Sequence, residues 1–165
     1  MKNILVTGGA GFIGSHTCLV LLEKGYKVFV IDSFKNSSPK ALKKVEKINK
    51  LNNLKSEADL KLYIGDLCDK NFIKDVFWDI IKNYKTLDGI IHFGGLKAVA
   101  ESIFNPIEYW KTNVLGTINL LEIMSIYRIR NLVFSSSATI YSNAERSFLK
   151  EDSELKPINP YGNTK

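Results

Sequence analysis

A glycine-rich turn between a short apolar segment and a helical one constrains the fold more than any other feature of this sequence. Ile4-Leu5-Val6 is a branched apolar run of strand length, and Gly9-Ala10-Gly11-Phe12-Ile13-Gly14 follows it closely. Beyond Gly14 the apolar residues recur at helical spacing, and Gly25 stands where a helix C-cap is expected. This order places backbone N–H groups and a helix N-terminus around one point, which suits a pyrophosphate. The sequence therefore predicts a dinucleotide-binding β-α-β unit.

A carboxylate follows the second apolar run. Val28 to Ile31 predicts a strand, and Asp32 comes directly after it. A carboxylate in that place can accept hydrogen bonds from both hydroxyls of an adenosine ribose, and it would repel a 2′-phosphate. The sequence therefore predicts NAD, and not NADP, as the nucleotide. A tight turn followed by an ordinary surface aspartate is the alternative explanation.

Strands and helices alternate along the rest of the chain. Three further apolar runs predict strands, at Lys61–Ile64, Gly89–Phe93 and Leu132–Phe134. Phe72 to Tyr84 has helical spacing, and Asn105-Pro106 predicts the N-cap and first turn of a long helix that reaches about Tyr127. The alternation predicts an α/β fold of the Rossmann type, a doubly wound parallel sheet in the order 3-2-1-4-5. One domain is expected over residues 1–165, because a chain of this length can bury about 70% of its extended surface.

Residues with functional chemistry follow the predicted strands. In such sheets ligands lie outside the carboxyl ends of the strands. The glycine turn, Asp32, Asp66, Phe93-Gly94-Gly95 and the serines 135–137 would therefore meet at one edge, with Tyr161 a loop later. His92 ends an apolar strand and is predicted to be a hydrogen-bonded core residue. We expect one site at this edge.

Charge and composition exclude several classes of protein. The net charge of +6 lies largely between Lys40 and Lys61, where Leu42, Val45, Ile48 and Leu51 recur at helical spacing. This pattern predicts a solvated amphipathic helix and not a nucleic-acid site. No apolar run approaches the roughly 20 residues of a membrane span. The two cysteines, Cys18 and Cys68, indicate reduced thiols in a cytoplasmic protein, without a disulfide or a metal site.

The last five residues, Tyr161-Gly162-Asn163-Thr164-Lys165, contain a Tyr-x-x-x-Lys pair. On a helix, residues four apart share one face. Lowering the pKa of a tyrosine from about 10 to near 7 needs roughly 4 kcal/mol, which a lysine ammonium and a positive nicotinamide ring can supply. The tyrosinate can then take a hydroxyl proton while hydride leaves the same carbon, and Ser137 can share that proton. A half-buried aromatic at a helix start is the alternative explanation of Tyr161.

The glycine turn, from Thr7 to Gly14, together with Tyr161 and Lys165 resembles the extended short-chain dehydrogenase/reductases. Within that class the chain resembles the UDP-glucose 4-epimerase family in three segments, Phe93 to Ser102, Phe134 to Thr139 and Asn159 to Lys165. Related sugar-nucleotide dehydratases carry an acidic pair in place of Ser137-Ala138, so this pair argues against dehydration. The resemblance covers the whole chain.

The resemblance implies roles for matching residues. Ser137 and Tyr161 would be the catalytic pair, with Lys165 lowering the pKa of the tyrosine. Glycines would form the pyrophosphate turn, Asp32 would bind the adenosine ribose, and Lys97 would reach the ribose or phosphate. The full implied NAD-binding set is Gly8, Gly11, Phe12, Ile13, Gly14, Asp32, Ser33, Asn36, Ser37, Asp66, Leu67, Phe93, Gly94, Gly95, Lys97, Asn113, Ser135, Tyr161 and Lys165.

The resemblance also implies an activity, NAD-dependent epimerisation at C4 of a UDP-hexose through a transient 4-keto sugar. Members are cytoplasmic isomerases of galactose metabolism that pair as homodimers, without nucleic-acid or membrane partners. They are about twice as long, so we expect this chain to be an amino-terminal half, inactive alone and lacking the last strands and the UDP-sugar domain. Whether this half pairs by itself stays open. The alternatives are a related epimerase acting on a UDP-N-acetylhexosamine or a UDP-uronate, and a non-catalytic NAD-binding module.

Overall fold

The computed structural model describes residues 2–52, 59–141 and 148–165. Its five strands are β1 (Asn3–Thr7), β2 (Lys27–Asp32), β3 (Leu60–Ile64), β4 (Gly89–His92) and β5 (Leu132–Phe134). The helices are α1 (Phe12–Glu23), α2 (Pro39–Asn52), α3 (Lys70–Tyr84), α4 (Val99–Phe104), α5 (Pro106–Tyr109), α6 (Gly116–Ile126) and α7 (Pro160–Asn163). A π-helical segment (Trp110–Leu115) joins α5 to α6, and Ala138–Ile140 forms a short 3₁₀ helix.

The five strands form one parallel sheet in the order β3-β2-β1-β4-β5. The predicted fold class and strand order are confirmed. Consecutive side chains of a strand point to opposite faces, so β2 serves two cores at once. Val28 and Val30 pack with Cys18 of α1 on one face, whereas Phe29 packs with Phe77 of α3 on the other. Helices therefore cover both sides of the sheet and leave the strand ends open.

Helix α1 ends as the sequence predicts. Gly25 has φ of 78°, which a residue without Cβ adopts at no steric cost, and its N–H donates to the Leu22 carbonyl. Cys18 is buried on the inner face of this helix. Among the described helices, none is long and apolar enough to span a membrane.

The apolar face of helix α2 differs in part from the predicted one. Leu42 and Val45 are buried, but Ile48 and Leu51 are 40% and 69% exposed, and Asn49 is buried instead. The helical period explains this, because seven residues return Asn49 to within about 20° of Leu42. The remainder of the predicted segment, at 53–58, lies outside the described residues.

The predicted long helix is present from Pro106 to Ile126, but it contains the π-helical segment and is preceded by α4, which the sequence did not predict. Pro106 occupies the first helical turn as predicted. The predicted side-chain cap from Asn105 is wrong, since this side chain makes no capping hydrogen bond. Asn105 instead closes α4, where its N–H donates to the Glu101 carbonyl.

Candidate active site

A cleft of about 410 Å³ is lined by residues that follow each of the five strands, as a parallel sheet predicts. All of the predicted catalytic and cofactor-binding residues line it except Ser37 and Asn113. Ser136, which was expected at this edge with its two neighbouring serines, also lines the cleft, and the sequence did not predict five further lining residues, Ile31, Lys35, Gly65, Leu96 and Thr112.

The glycine turn between β1 and α1 leaves no space for side chains. A Cβ on Gly14 would lie 2.2 Å from the Gly8 carbonyl oxygen, and a Cβ on Gly8 would lie 2.8 Å from Gly94 N. Gly8 also has φ of 67°. Gly11 is the N-cap of α1 and brings no side chain to the exposed amides of the first turn. The first N–H groups of a 12-residue helix therefore face the cleft without a side-chain cap.

Asp32 is buried beside this turn and organises the loop that follows β2. Its Oδ2 accepts a hydrogen bond from Ala10 N at 2.9 Å. Its Oδ1 accepts from Phe34 N at 2.9 Å and from Ser37 Oγ at 2.7 Å. Ser37 thus contacts Asp32 and does not line the cleft. A carboxylate has about four acceptor positions, so roughly one is left for a hydroxyl group in the cleft.

An ion-pair cluster that the sequence did not predict lies at the same end. Lys35 Nζ is 2.9 Å from Asp66 Oδ2 and 3.3 Å from Glu108 Oε1. Partial burial acts to raise the pKa of Asp66, but hydrogen bonds from Cys68 N and Lys35 outweigh it and hold that pKa below the ordinary value. The bond to Asp66 in turn raises the pKa of Lys35. The cluster joins the loops after β2 and β3 to α5.

The loop after β4 forms another wall, and Asn113 supports it from behind. Asn113 Oδ1 accepts from Leu96 N at 2.7 Å, and its Nδ2 donates to the Leu96 carbonyl at 3.0 Å. The same Nδ2 donates to Thr164 Oγ1 at 2.9 Å. Asn113 is 3% exposed. Its position in this structure is that of a support for Leu96, beneath the surface of the cleft.

Tyr161 lies on the single turn of α7. Pro160 begins this turn, and Asn159 Oδ1 caps it by accepting from Gly162 N at 2.8 Å. The backbone N–H of Tyr161 donates to Ser102 Oγ at 3.2 Å, and its ring meets Tyr109 edge-on. These contacts fix the turn against α4 and α5.

Lys165 follows α7, which ends at Asn163, so the expected common helix stops before the lysine. Both Tyr161 and Lys165 nevertheless line the cleft. Lys165 Nζ donates to the Ser135 carbonyl at 3.1 Å, and burial lowers its pKa below the ordinary value.

Ser137 is the N-cap of the 3₁₀ helix, at the same wall of the cleft. Its Oγ accepts from Thr139 N at 3.3 Å and from Thr139 Oγ1 at 2.9 Å. Both contacts use oxygen lone pairs, so the hydroxyl hydrogen of Ser137 is left for a group in the cleft. Ser137, Tyr161 and Lys165 thus supply a donor, a phenol and an ammonium to one cavity.

Two supporting residues on α6 were not predicted. Asn119 Nδ2 donates to the carbonyls of Leu67 and Cys68, at 3.0 and 3.1 Å, and holds the loop after β3. Thr117 binds His92. The available signal was the presence of two polar residues, Thr117 and Asn119, near the start of a mostly apolar helix. Within the ranges 2–52, 59–141 and 148–165 there is no cluster of three or more His, Cys, Asp or Glu residues suited to a metal ion.

Comparison with known proteins identifies relatives over almost the whole chain. The family model described as GDP-mannose 4,6 dehydratase matches residues 5–165. The chain is 48% identical over 163 residues to UDP-glucose 4-epimerase 3 of Oryza sativa subsp. japonica, with 99% of this chain and 42% of the relative covered. It is 45% identical over 162 residues to UDP-glucose 4-epimerase of Bacillus subtilis (strain 168), with 98% and 44% covered. The chain therefore spans less than half the length of these curated relatives.

A solved structure shares the architecture. The crystal structure of UDP-glucose 4-epimerase from Bifidobacterium longum in complex with NAD+ and UDP aligns with a TM-score of 0.88 at 40% identity. The alignment covers 99% of this chain and 45% of that chain. The resemblance inferred from the sequence motifs is confirmed.

Proposed function

The chain belongs to the GDP-mannose 4,6 dehydratase family, and we propose that it is the cofactor-binding half of an NAD-dependent UDP-sugar epimerase. The observation that carries the proposal is the shared cleft. The glycine turn, Asp32, Ser137, Tyr161 and Lys165 all line this one cavity although they come from distant parts of the chain. The proposed nucleotide site and the proposed proton-transfer site would therefore be adjacent.

The shape of the cleft supports NAD as the cofactor. The turn is so tight that a Cβ at Gly14 would overlap the Gly8 carbonyl oxygen, and such turns let backbone approach a pyrophosphate. Asp32 would accept a hydrogen bond from the adenosine ribose, and its negative charge would repel a 2′-phosphate. Asp66 and Leu67 would flank the adenine, and Lys97 would reach the ribose or a phosphate. When bound, NAD accepts a hydride from the sugar carbon and returns it.

The chain's own residues would handle the proton. Tyr161 would take the proton of the C4 hydroxyl, and Ser137 would donate its free hydroxyl hydrogen to the same oxygen. Lys165 is held at the Ser135 carbonyl and brings positive charge to the cleft, where it favours the phenolate over the phenol. Return of the proton to the oxygen after the keto intermediate has turned would complete epimerisation at C4.

UDP-glucose and UDP-galactose are the substrates that we propose. The relatives named above are UDP-glucose 4-epimerases, and Ser137-Ala138 argues against the dehydratase activity that gives the family its name. A UDP-N-acetylhexosamine or a UDP-uronate would need the same chemistry at C4 and is the second candidate. A non-catalytic NAD-binding module is the third, and it would not need Tyr161.

Exposed apolar surface supports the proposal that residues 1–165 are one domain of a larger assembly. The outer strand β5 exposes Val133, and Leu155 and Ile158 are more than half exposed. A further part of the protein that holds the UDP-sugar would cover this edge. Ile107 and Ile118, on the outer side of the long helix, would pair with a second copy in a homodimer. We place the protein in the cytoplasm, in keeping with its two free thiols, Cys18 and Cys68.

A chimera tests this function directly. Residues 1–165 would replace the matching part of the Bacillus subtilis UDP-glucose 4-epimerase, which is 45% identical over that region. We expect the chimera to convert UDP-galactose to UDP-glucose, whereas any preference between UDP-galactose and UDP-N-acetylgalactosamine would be set by the part of the chimera that holds the UDP-sugar and is not part of this test. Tyr161→Phe should abolish most turnover and leave NAD binding intact. Ser137→Ala should reduce turnover less than Tyr161→Phe does, and Lys165→Ala should lower both turnover and the affinity for NAD. A folded, NAD-binding chimera that converts neither sugar, or a Tyr161→Phe form at the parent rate, would refute the proposal.

A further inference from the structure

His92 connects three elements of the core through both nitrogens of its ring. The residue is 1% exposed at the end of β4. Its Nδ1 lies 2.5 Å from Thr7 Oγ1 on β1, and its Nε2 lies 2.9 Å from Thr117 Oγ1 on α6. Thr7 Oγ1 also accepts from Gly94 N at 3.1 Å, and Thr117 Oγ1 donates to the Asn113 carbonyl. We refer to the series Gly94, Thr7, His92, Thr117 and Asn113 as the His92 chain.

The direction of the bonds in the His92 chain follows from its Asn113 end together with the neutral state of the His92 ring. A carbonyl oxygen only accepts, so the Thr117 hydroxyl hydrogen points to Asn113, and the Thr117 oxygen accepts from His92 Nε2–H. Burial, followed by the charge of Lys165, lowers the pKa of His92 to about 4, so the ring is neutral at neutral pH. Nδ1 is then unprotonated and accepts from the Thr7 hydroxyl. Only the neutral tautomer with hydrogen on Nε2 satisfies the whole chain.

Both ends of the His92 chain support walls of the cleft. At one end the Thr7 hydroxyl holds Gly94, which lines the cleft. At the other end the Thr117 hydroxyl holds the backbone of Asn113, in the π-helical segment. The side chain of Asn113 then makes both hydrogen bonds to Leu96.

The same support extends to α7. Asn113 Nδ2 donates to Thr164 Oγ1, and Thr164 Oγ1 donates to the Tyr161 carbonyl at 2.8 Å. A displacement of Asn113 therefore affects the loop after β4 and the turn that carries Tyr161.

We propose that His92 and Thr117 are positioning residues of the cofactor cleft. Through one directional hydrogen-bond chain they hold Gly94, Leu96 and the turn that carries Tyr161 in their relative positions. Neither residue lines the cleft, so they act through Thr7 and Asn113. The identity of the ligand, NAD, rests on the proposed function. The hydrogen-bond chain and its effect on Leu96 do not.

The tautomer of His92 tests the chain without any ligand. Heteronuclear NMR of the ring nitrogens in the labelled 165-residue chain should show a neutral His92 with hydrogen on Nε2 at neutral pH. The other histidine, His16, is exposed and serves as the internal reference. A His92 ring with hydrogen on Nδ1, a mixture of tautomers, or a protonated ring at neutral pH would overturn the inference.

Substitution of Thr117 tests the positioning role. Thr117→Val should speed hydrogen exchange of the Leu96 amide about tenfold and weaken NAD binding about tenfold, because buried partners lose their hydrogen bonds. Thr117→Ser keeps the hydroxyl and should restore both. Thr17→Val is the matched control, since Thr17 Oγ1 donates to the Ile13 carbonyl in the same way but Thr17 is not a member of the His92 chain. If valine prevents folding, Thr117→Ala removes the same hydroxyl with less crowding.

Three outcomes would contradict the positioning role. The first is unchanged exchange at Leu96 in the folded Thr117 variant, and the second is an equal effect of Thr17→Val. The third is faster exchange at Leu96 only in proportion to a loss of global stability, which indicates a structural role. If the unaltered chain binds no NAD while the tautomer and exchange results hold, the proposed function fails and this inference stands.

Discussion

The two glycines at the ends of α1 allow cofactor binding to be separated from stability. A Cβ at Gly14 would lie 2.2 Å from the Gly8 carbonyl oxygen and 2.8 Å from Gly9 Cα, where an ordinary contact begins at 3.4 Å. Gly14→Ala therefore requires a backbone displacement of about 1 Å (3.4 less 2.2 Å), since neither neighbour is a flexible side chain. Overpacking of this kind costs roughly 1–3 kcal/mol of stability. The displaced turn should also lose at least one hydrogen bond to a charged phosphate, worth about 1.5–3 kcal/mol, or about 10- to 100-fold in Kd.

Gly25→Ala is the matched control at the other end of the same helix. Gly25 has φ of 78° with no atom within 4 Å of a built Cβ, so the only cost is the left-handed backbone. That cost is about 1–2 kcal/mol and should lower Tm by roughly 2–8 °C. Calorimetric titration of NAD should give a Kd close to that of the unaltered chain for Gly25→Ala and a greatly raised Kd for Gly14→Ala. Equal NAD affinities in a folded Gly14→Ala chain would refute the role of the turn.

Three further predictions concern selectivity, pH and the catalytic turn. The chain should bind NAD more tightly than NADP because of the Asp32 carboxylate, and Asp32→Ala should reduce the difference between the two affinities. Equal affinities for NAD and NADP in the unaltered chain would contradict this prediction. Burial holds the pKa of His92 at about 4 in the folded chain, against 6.5 in the unfolded chain. The free energy of unfolding should therefore be constant in this respect above pH 6.5 and should fall by about 3 kcal/mol as the pH is lowered to 4. Urea unfolding at several pH values should show that loss, with less of it in His92→Gln. A Cβ at Gly162 would lie 2.5 Å from the Thr139 carbonyl oxygen, so Gly162→Ala should reduce chimera turnover more than Asn163→Ala does.

Local patterns were sufficient to predict the sheet and its strand order. Each strand is a short run that is rich in β-branched or aromatic residues. Its consecutive side chains point alternately into the two cores, as Val28 and Phe29 do. The glycine turn specifies its own geometry, because Gly8 and Gly14 contact each other within a few residues. The convergence of Asp32, Asp66 and Ser137 at one edge then follows from the parallel topology alone.

The sequence could not predict contacts between distant segments. Asn105 precedes a proline and has the composition of a cap, yet its backbone closes α4, whose formation depends on packing against α5 and α7. Lys35 belongs to the site because the fold brings Asp66, after β3, and Glu108, on α5, to the loop after β2. Thr117 and Asn119 face strand ends that are about 25 and 50 residues away in the chain. No spacing rule relates such partners.

The fate of the C4 hydrogen tests the central claim most directly. The chimera would convert UDP-galactose to UDP-glucose in heavy water, and the product would be examined by mass spectrometry and NMR. Hydride transfer to and from a bound nicotinamide predicts that C4 of the UDP-glucose keeps its original hydrogen and carries no deuterium. Deuterium at C4 of the product would show that the hydrogen leaves as a proton, and it would contradict the account.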